Sequence, residues 1–221
     1  MADSGDMVII MLGPPGCGKG TQSKLISSKF GIPQISTGDM LREEREKGTD
    51  VGRRSSVFMD RGELVPDELI LEMINRRIEK EDCNKGFILD GFPRTLEQAK
   101  ALDDILKKMG RSIRQVFYFD VPDSELIERL GGRISCVVCG KIYHKKFNPP
   151  PSEDKCECGG YLLQRPDDNP EVISQRLEVY RKLTLPLLDY YRGKNKLFEI
   201  HGGGKTIEEN SRIILKALSG E

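Results

Sequence analysis

An apolar run of β type, Val8-Ile9-Ile10-Met11-Leu12, leads into Gly13-Pro14-Pro15-Gly16-Cys17-Gly18-Lys19-Gly20-Thr21, and a helical pattern follows from 22 to 30. No other stretch narrows the choice of folds as much. G-x-x-x-x-G-K between a strand and a helix is the spacing of a phosphate-binding loop. Backbone N–H groups of the loop and of the helix N-terminus converge on one point, which suits an anion. Glycines let the backbone close around phosphates without a clashing Cβ, and Lys19 adds a mobile cation. Gly16, Cys17, Gly18, Lys19, Gly20 and Thr21 are therefore expected at the phosphates of a nucleotide. The chain departs from the usual pattern once. Gly20 stands where Ser or Thr commonly follows the lysine, and the hydroxyl comes one place later, on Thr21. A direct loop ligand for Mg²⁺ is not expected at position 20.

Beyond the loop the pattern alternates. Short strands are expected at 31–35, 86–90, 115–120 and 197–200, with helices between them at 67–80, after Thr95, at 122–130 and from 170 onward. Pro186 should kink the last of these. Thr206-Ile207-Glu208-Glu209 has the form of a capping box for a final helix. Five strands alternating with helices imply an α/β fold with a parallel sheet covered on both faces. Ligands of such sheets sit beyond the carboxyl ends of the strands, where Gly13, Asp90 and Gly91 fall. Two segments break the rhythm. Residues 36–65 read as two polar helical stretches with few bulky apolar positions, a small flap rather than core. Residues 131–168 are rich in Gly, Pro, Cys and short β-like pieces, an inserted β-rich unit.

That unit holds Cys136-Val137-Val138-Cys139 and, sixteen residues on, Cys156-Glu157-Cys158. Two close cysteine pairs can give four thiolates to a tetrahedral zinc ion, leaving no open position for catalysis. The metal would be structural, stapling a unit too small to own a core. The second pair is C-x-C where C-x-x-C is the common spacing, so His144 and Asp154 stand as alternative ligands. Cys17 and Cys83 lie apart from the cluster. Lys+Arg and Asp+Glu are equal at 35 each, so nothing in the charge asks for nucleic acid or an acidic membrane. Residues 1–6 show neither a basic region nor an apolar one, and no apolar run approaches the ~20 residues of a membrane span. A cytoplasmic location is expected, and six cysteines there read as metal ligands or thiols rather than disulfides.

Gly13 to Thr21, Ser36-Thr37-Gly38-Asp39-Met40-Leu41-Arg42, Asp90-Gly91-Phe92-Pro93-Arg94-Thr95 and the cysteine-bearing insert, in this order, resemble the adenylate kinases with a long lid. The resemblance covers nearly the whole chain. It implies a P-loop NTPase-like core at 1–35, 66–130 and 169–221, an NMP-binding flap at 36–65 and a lid at 131–168. It implies interconversion of ATP plus AMP with two ADP, using Mg²⁺, by a monomer. Phosphoryl transfer between nucleotides needs no protein nucleophile; it needs alignment and compensation of spreading charge. Lys19, Arg94, Arg129, Arg133, Arg165 and Arg176 are the catalytic set that the resemblance implies. Arg129, Arg133, Ile142, Tyr143 and Lys205 join the loop at ATP, with Ile142 and Tyr143 covering the base. Thr37, Arg42, Glu63, Leu64, Val65, Gly91, Phe92, Pro93, Arg94 and Gln98 frame AMP, while Arg165 and Arg176 span the transferring group. Asp90, at the end of a buried strand, is the carboxylate expected to hold hydrated Mg²⁺, with Asp39 the weaker alternative. Gly131-Gly132 and Asp167-Asp168-Asn169-Pro170 are the expected hinges. Three rivals differ in chemistry: a kinase for UMP or CMP, or one with GTP as donor; a non-catalytic nucleotide sensor; and a zinc ribbon for nucleic acid.

Overall fold

The computed structural model describes residues 7–219; the leader reading of residues 1–6 lies outside them. The main sheet has five parallel strands in the order β2-β3-β1-β4-β8: β2 (Gln34–Ser36), β3 (Gly86–Asp90), β1 (Met7–Leu12), β4 (Ile113–Asp120) and β8 (Leu197–His201). Side chains of a strand alternate between faces, and both faces here are covered. Val8, Ile10 and Leu12 of β1 join Phe87, Leu89 and Val116 in one apolar layer. It packs under α4 (Asp67–Ile78), α5 (Leu96–Lys108) and α8 (Leu187–Gly193). Ile9 and Met11 join Ile88, Phe117 and Phe119 in the other, under α1 (Lys19–Phe30), α6 (Asp123–Gly131), α7 (Pro170–Val179) and α9 (Ile207–Ser219). An unbroken apolar run such as β1 is what a two-faced central strand requires.

Three local caps fall where the sequence places them. Thr95 accepts from Gln98 N at 3.1 Å. Thr206 N donates to Glu209 Oε2 at 2.7 Å while Glu209 N donates to Thr206 Oγ1 at 3.2 Å, a reciprocal box. Ser36 caps the flap helix α2 (Thr37–Glu46), which is followed by α3 (Asp50–Met59). Other boundaries move for physical reasons. Helix α1 starts at Lys19 rather than 22, because Gly18 takes φ 98° and closes the loop directly onto the first turn. Gly31, at φ 64°, ends that helix, so β2 begins only after Pro33. Pro186 does more than kink a helix: α7 ends at Val179, residues Tyr180–Thr184 form a π turn, and Pro186 caps α8.

The flap is less separate than its composition suggests. Leu41 and Val65 are buried in the first apolar layer, with Met40, Val51, Phe58 and Met59 against it. Few apolar residues suffice because nearly all of them face inward, Val57 being the exposed exception. Residues 131–168 form a small antiparallel sheet, order β6-β5-β7, from β5 (Arg133–Cys136), β6 (Ile142–His144) and β7 (Leu162–Leu163). Its own apolar cluster is only Ile134, Cys136, Tyr143, Cys156 and Leu162.

Candidate active site

A cavity of about 910 Å³ opens at the carboxyl ends of β1 and β3, between the flap and the small sheet. Every nucleotide-site residue expected from the sequence lines it except Phe92, whose ring is fully buried in the first apolar layer. The loop forms its floor. Gly13, Gly16 and Gly18 have φ of 146°, 84° and 98°, values that side chains disfavour. Lys19 Nζ donates to Gly13 O at 2.7 Å and Pro14 O at 2.8 Å, folded over the loop it serves.

Asp90, 9 % exposed, ends β3 beside this loop. Gln34 Nε2 donates to its Oδ2 at 2.9 Å. Burial pushes its carboxyl above the usual range, although Lys19 pulls the other way. Gly20 explains how the two approach: a Cβ there would lie 3.3 Å from Asp90 Oδ2. A buried carboxylate with incomplete compensation, next to the phosphate loop, fits a hydrated Mg²⁺. Asp39, the weaker alternative, is already paired. Burial raises it, but Arg42, 2.5 Å away, and Arg165, at 3.7 Å, overcome that and hold it below its ordinary value. Because the folded-state pKa of Asp90 is raised, its ionisation opposes folding as pH rises from the unfolded pKa through the folded one. The cost grows with pH until the folded-state pKa is passed. Asp90→Asn should therefore leave the melting temperature unchanged or higher, while the Mg²⁺ needed for half-maximal rate rises about tenfold to a hundredfold. An unchanged Mg²⁺ requirement would detach Asp90 from the ion.

The arginines crowd the opposite wall. Burial, then Arg176, lowers the Arg94 guanidinium to about 10; burial, then Arg133 and Arg42, does the same to Arg165. Arg176 is lowered in the same way by burial. Aspartates at the lid exit organise the group, and sequence reading valued them only as a hinge. Asp168, with no exposed surface, accepts from Arg133 Nε at 2.7 Å and Nη2 at 2.5 Å, and from Arg176 Nη1 at 3.1 Å. Asp167 pairs with Arg176 at 2.9 Å. A buried acidic residue next to a Pro–Asn turn looks like a loop in sequence; its partners lie 35 and 8 residues away. Glu125 is a second omission: its carboxylate holds Arg129 and accepts from Gly204 N at 3.3 Å, tying that arginine to the Lys205 loop.

On the flap side, Gln98 Oε1 accepts from Arg94 N at 2.7 Å, and Gln98 Nε2 donates to Asp67 Oδ1 at 2.6 Å. One N–H and one lone pair of this amide remain for a base edge. Tyr143 lines the cavity from within the small sheet. Its side chain is 3 % exposed, and its hydroxyl sits 3.4 Å from Cys156 Sγ, inside the small sheet. Alternation along β6 instead turns Ile142 and His144 the other way, and the His144 ring lies 4.5 Å from that of Phe147. All four residues, Ile142, Tyr143, His144 and Phe147, line the cavity.

The four cysteines gather despite the short second pair. Their sulfurs all lie within 4.8 Å of one another, with Cys136 to Cys158 at 3.5 Å and Cys139 to Cys156 at 3.6 Å. Four thiolates around zinc at 2.3 Å bonds would stand about 3.8 Å apart, so the set fits the ion. The hydroxyl of Tyr143 and then the backbone N–H of Cys158 lower the Cys156 thiol to about 6. Gly140 and Gly159, at φ 65° and 83°, make the two knuckle turns. His144 is occupied elsewhere: its Nδ1 accepts from Lys146 N and Phe147 N, each at 3.0 Å. Neither it nor Asp154 belongs to the cluster.

Comparison with known proteins matches this arrangement. The family model described as "Adenylate kinase" matches residues 11–196. A protein of that name from Archaeoglobus fulgidus is 51 % identical over 197 residues, covering 89 % of this chain and 91 % of its own. One from Caldicellulosiruptor bescii is 47 % identical over 216 residues, 97 % of this chain and all of its own. One from Methanocella arvoryzae is 50 % identical over 213 residues, 96 % and 98 %.

Proposed function

With the chain a member of the adenylate kinase family, we propose a division of labour for the residues that carry out its reaction. That reaction is reversible transfer of a phosphoryl group between ATP and AMP, giving two ADP. The observation that supports the division is the crowding of Arg42, Arg94, Arg133, Arg165 and Arg176 on one cavity, several with lowered pKa values, opposite the loop lysine. Such a set carries more positive charge than Asp39, Asp167 and Asp168 compensate, and polyphosphate supplies the rest.

In this reading Lys19 and the loop amides hold the donor's phosphates, and Arg129 and Arg133 close on them from the lid. Arg42 and Arg94 grip the acceptor's phosphate with two-point forks, which a lysine does not offer. Arg165 and Arg176 face the group in flight, where charge spreads over the equatorial oxygens. Mg²⁺ would be held through water by Asp90 and would neutralise part of the donor's charge. The acceptor phosphate attacks in line, so no side chain forms a bond to phosphorus. Closure of the flap (36–65) and the lid (131–168) would exclude water, which otherwise competes as acceptor. The Gln98 amide selects adenine on the acceptor side.

We also read the chain as a cytoplasmic monomer without nucleic-acid or membrane partners. No described helix is long and apolar enough to cross a membrane. On the lid, Lys145 and Lys146 are mixed with Glu153, Asp154 and Glu157, which does not make the basic face a nucleic-acid ribbon needs. The test is a panel: purified protein with Mg²⁺, ATP and AMP, UMP, CMP or GMP in turn. AMP should be phosphorylated at least about tenfold faster than any other. A preference for UMP or CMP would remove the role given to Gln98.

A further inference from the structure

The helix carrying Arg176 does not continue as an α-helix. Leu185 N donates to Tyr180 O at 2.9 Å, an i→i+5 bond that closes the π turn over Tyr180–Thr184. Such turns recur beside functional sites. In a helix of 3.6 residues per turn, Thr184 would lie about 80° around the axis from Arg176, and one inserted residue turns it back by about 100°. Both side chains then belong to the face that lines the cavity. Thr184 is 6 % exposed, and its Oγ1 donates to Arg94 O at 2.9 Å across 90 residues of sequence.

That bond completes a clamp. Arg94 N donates to Gln98 Oε1 at 2.7 Å, and Arg94 Nε donates to Gly91 O at 2.9 Å. The same Gly91 carbonyl accepts from Thr37 Oγ1 at 2.9 Å, which binds the start of α2 into the network. Backbone N–H, backbone carbonyl and Nε of Arg94 are thus all committed. Its two terminal nitrogens keep one orientation.

We propose that Thr184 is a positioning residue for the acceptor nucleotide: through the π turn it fixes the Arg94 backbone and registers Arg94 against Arg176. This rests on the reading that Arg94 grips the acceptor's phosphate. The widened turn is what allows one helix to carry an arginine and, eight residues later, the group that aims a second arginine from another element.

The test compares the parent with Thr184→Val, which keeps the shape and deletes the hydroxyl, Thr184→Ala, a second deletion of different shape, and Thr184→Ser, which restores the hydroxyl. Steady-state rates are measured against AMP and against ATP, with direct titration of each nucleotide and thermal unfolding. Both deletions should lower kcat/KM for AMP about tenfold to a hundredfold. Affinity for ATP should stay within about twofold, and the serine variant should lie within about threefold of the parent. Parent-like AMP kinetics in the deletions would overturn the proposal. So would a serine variant as impaired as valine, or AMP and ATP parameters falling together with the melting temperature. A parent that transfers no phosphoryl group from ATP to AMP would instead refute the underlying reading of Arg94, and that outcome is visible before any variant is made.

Discussion

Lysine in place of Arg94 should lower turnover about a thousandfold or more while the melting temperature moves by only about 3 °C. Arg94 spends Nε on the Gly91 carbonyl at 2.9 Å, and in the proposed division its two terminal nitrogens grip phosphate. A lysine reaching the same place would bring one charge but no fork, and nothing would orient it. Charge delocalised over a transferring phosphoryl group is stabilised by donors fixed before the reaction, so a mobile cation recovers little of the effect. Stability should change little because the hydrogen bond that Arg94 Nε makes in the fold is to a carbonyl, not to a buried carboxylate that would be orphaned. Initial rates with saturating ATP and AMP, beside a thermal melt, decide it. A lysine variant within about tenfold of the parent rate would take Arg94 out of the transfer step.

The second large effect concerns the zinc. The small sheet buries five side chains, two of which are cysteines, so its apolar cluster cannot hold it together alone. Structural zinc contributes on the order of 10–16 kcal/mol of apparent binding energy in small domains. Purified protein should contain about one equivalent of zinc, and Cys156→Ser less than about half. Without the ion, amide exchange should rise through 131–168 while the five-stranded sheet stays protected. Turnover should fall in parallel, since Arg133 and Arg165 are carried by the same segment. Metal analysis with exchange mass spectrometry measures both. A metal-free protein whose small sheet exchanges no faster than the parent's would show that the sulfurs gather for another reason.

These two expectations differ in how far sequence alone could reach. The loop, the strand-to-helix rhythm and the capping box of Thr206 and Glu209 are local, and local patterns survive folding. The cysteine cluster was legible too, although C-x-C left His144 and Asp154 open as ligands until the sulfurs were seen within 4.8 Å of one another. What sequence did not show is set by long-range pairing. Asp168 is a hub for two arginines only because the fold brings Arg133, 35 residues away, and Arg176, 8 residues away, to the same carboxylate. Glu125 matters because α6 passes the Lys205 loop. The resemblance put Tyr143 at the base, but only the fold shows that its hydroxyl also reaches Cys156. Polar residues of the flap hid its anchoring, since Leu41 and Val65 lie apart in sequence and meet only against the main sheet. The π turn left no mark beyond Pro186.

All of this depends on one cavity holding donor and acceptor together, between the phosphate loop and the arginine wall. The most direct measurement is calorimetric titration with a molecule in which two adenosines are joined through a single polyphosphate. One molecule should bind per chain, abolish binding of both ATP and AMP, and slow amide exchange in 36–65 and 131–168. Two molecules bound per chain, or ATP and AMP still binding at saturation, would mean that the two nucleotides do not share this site.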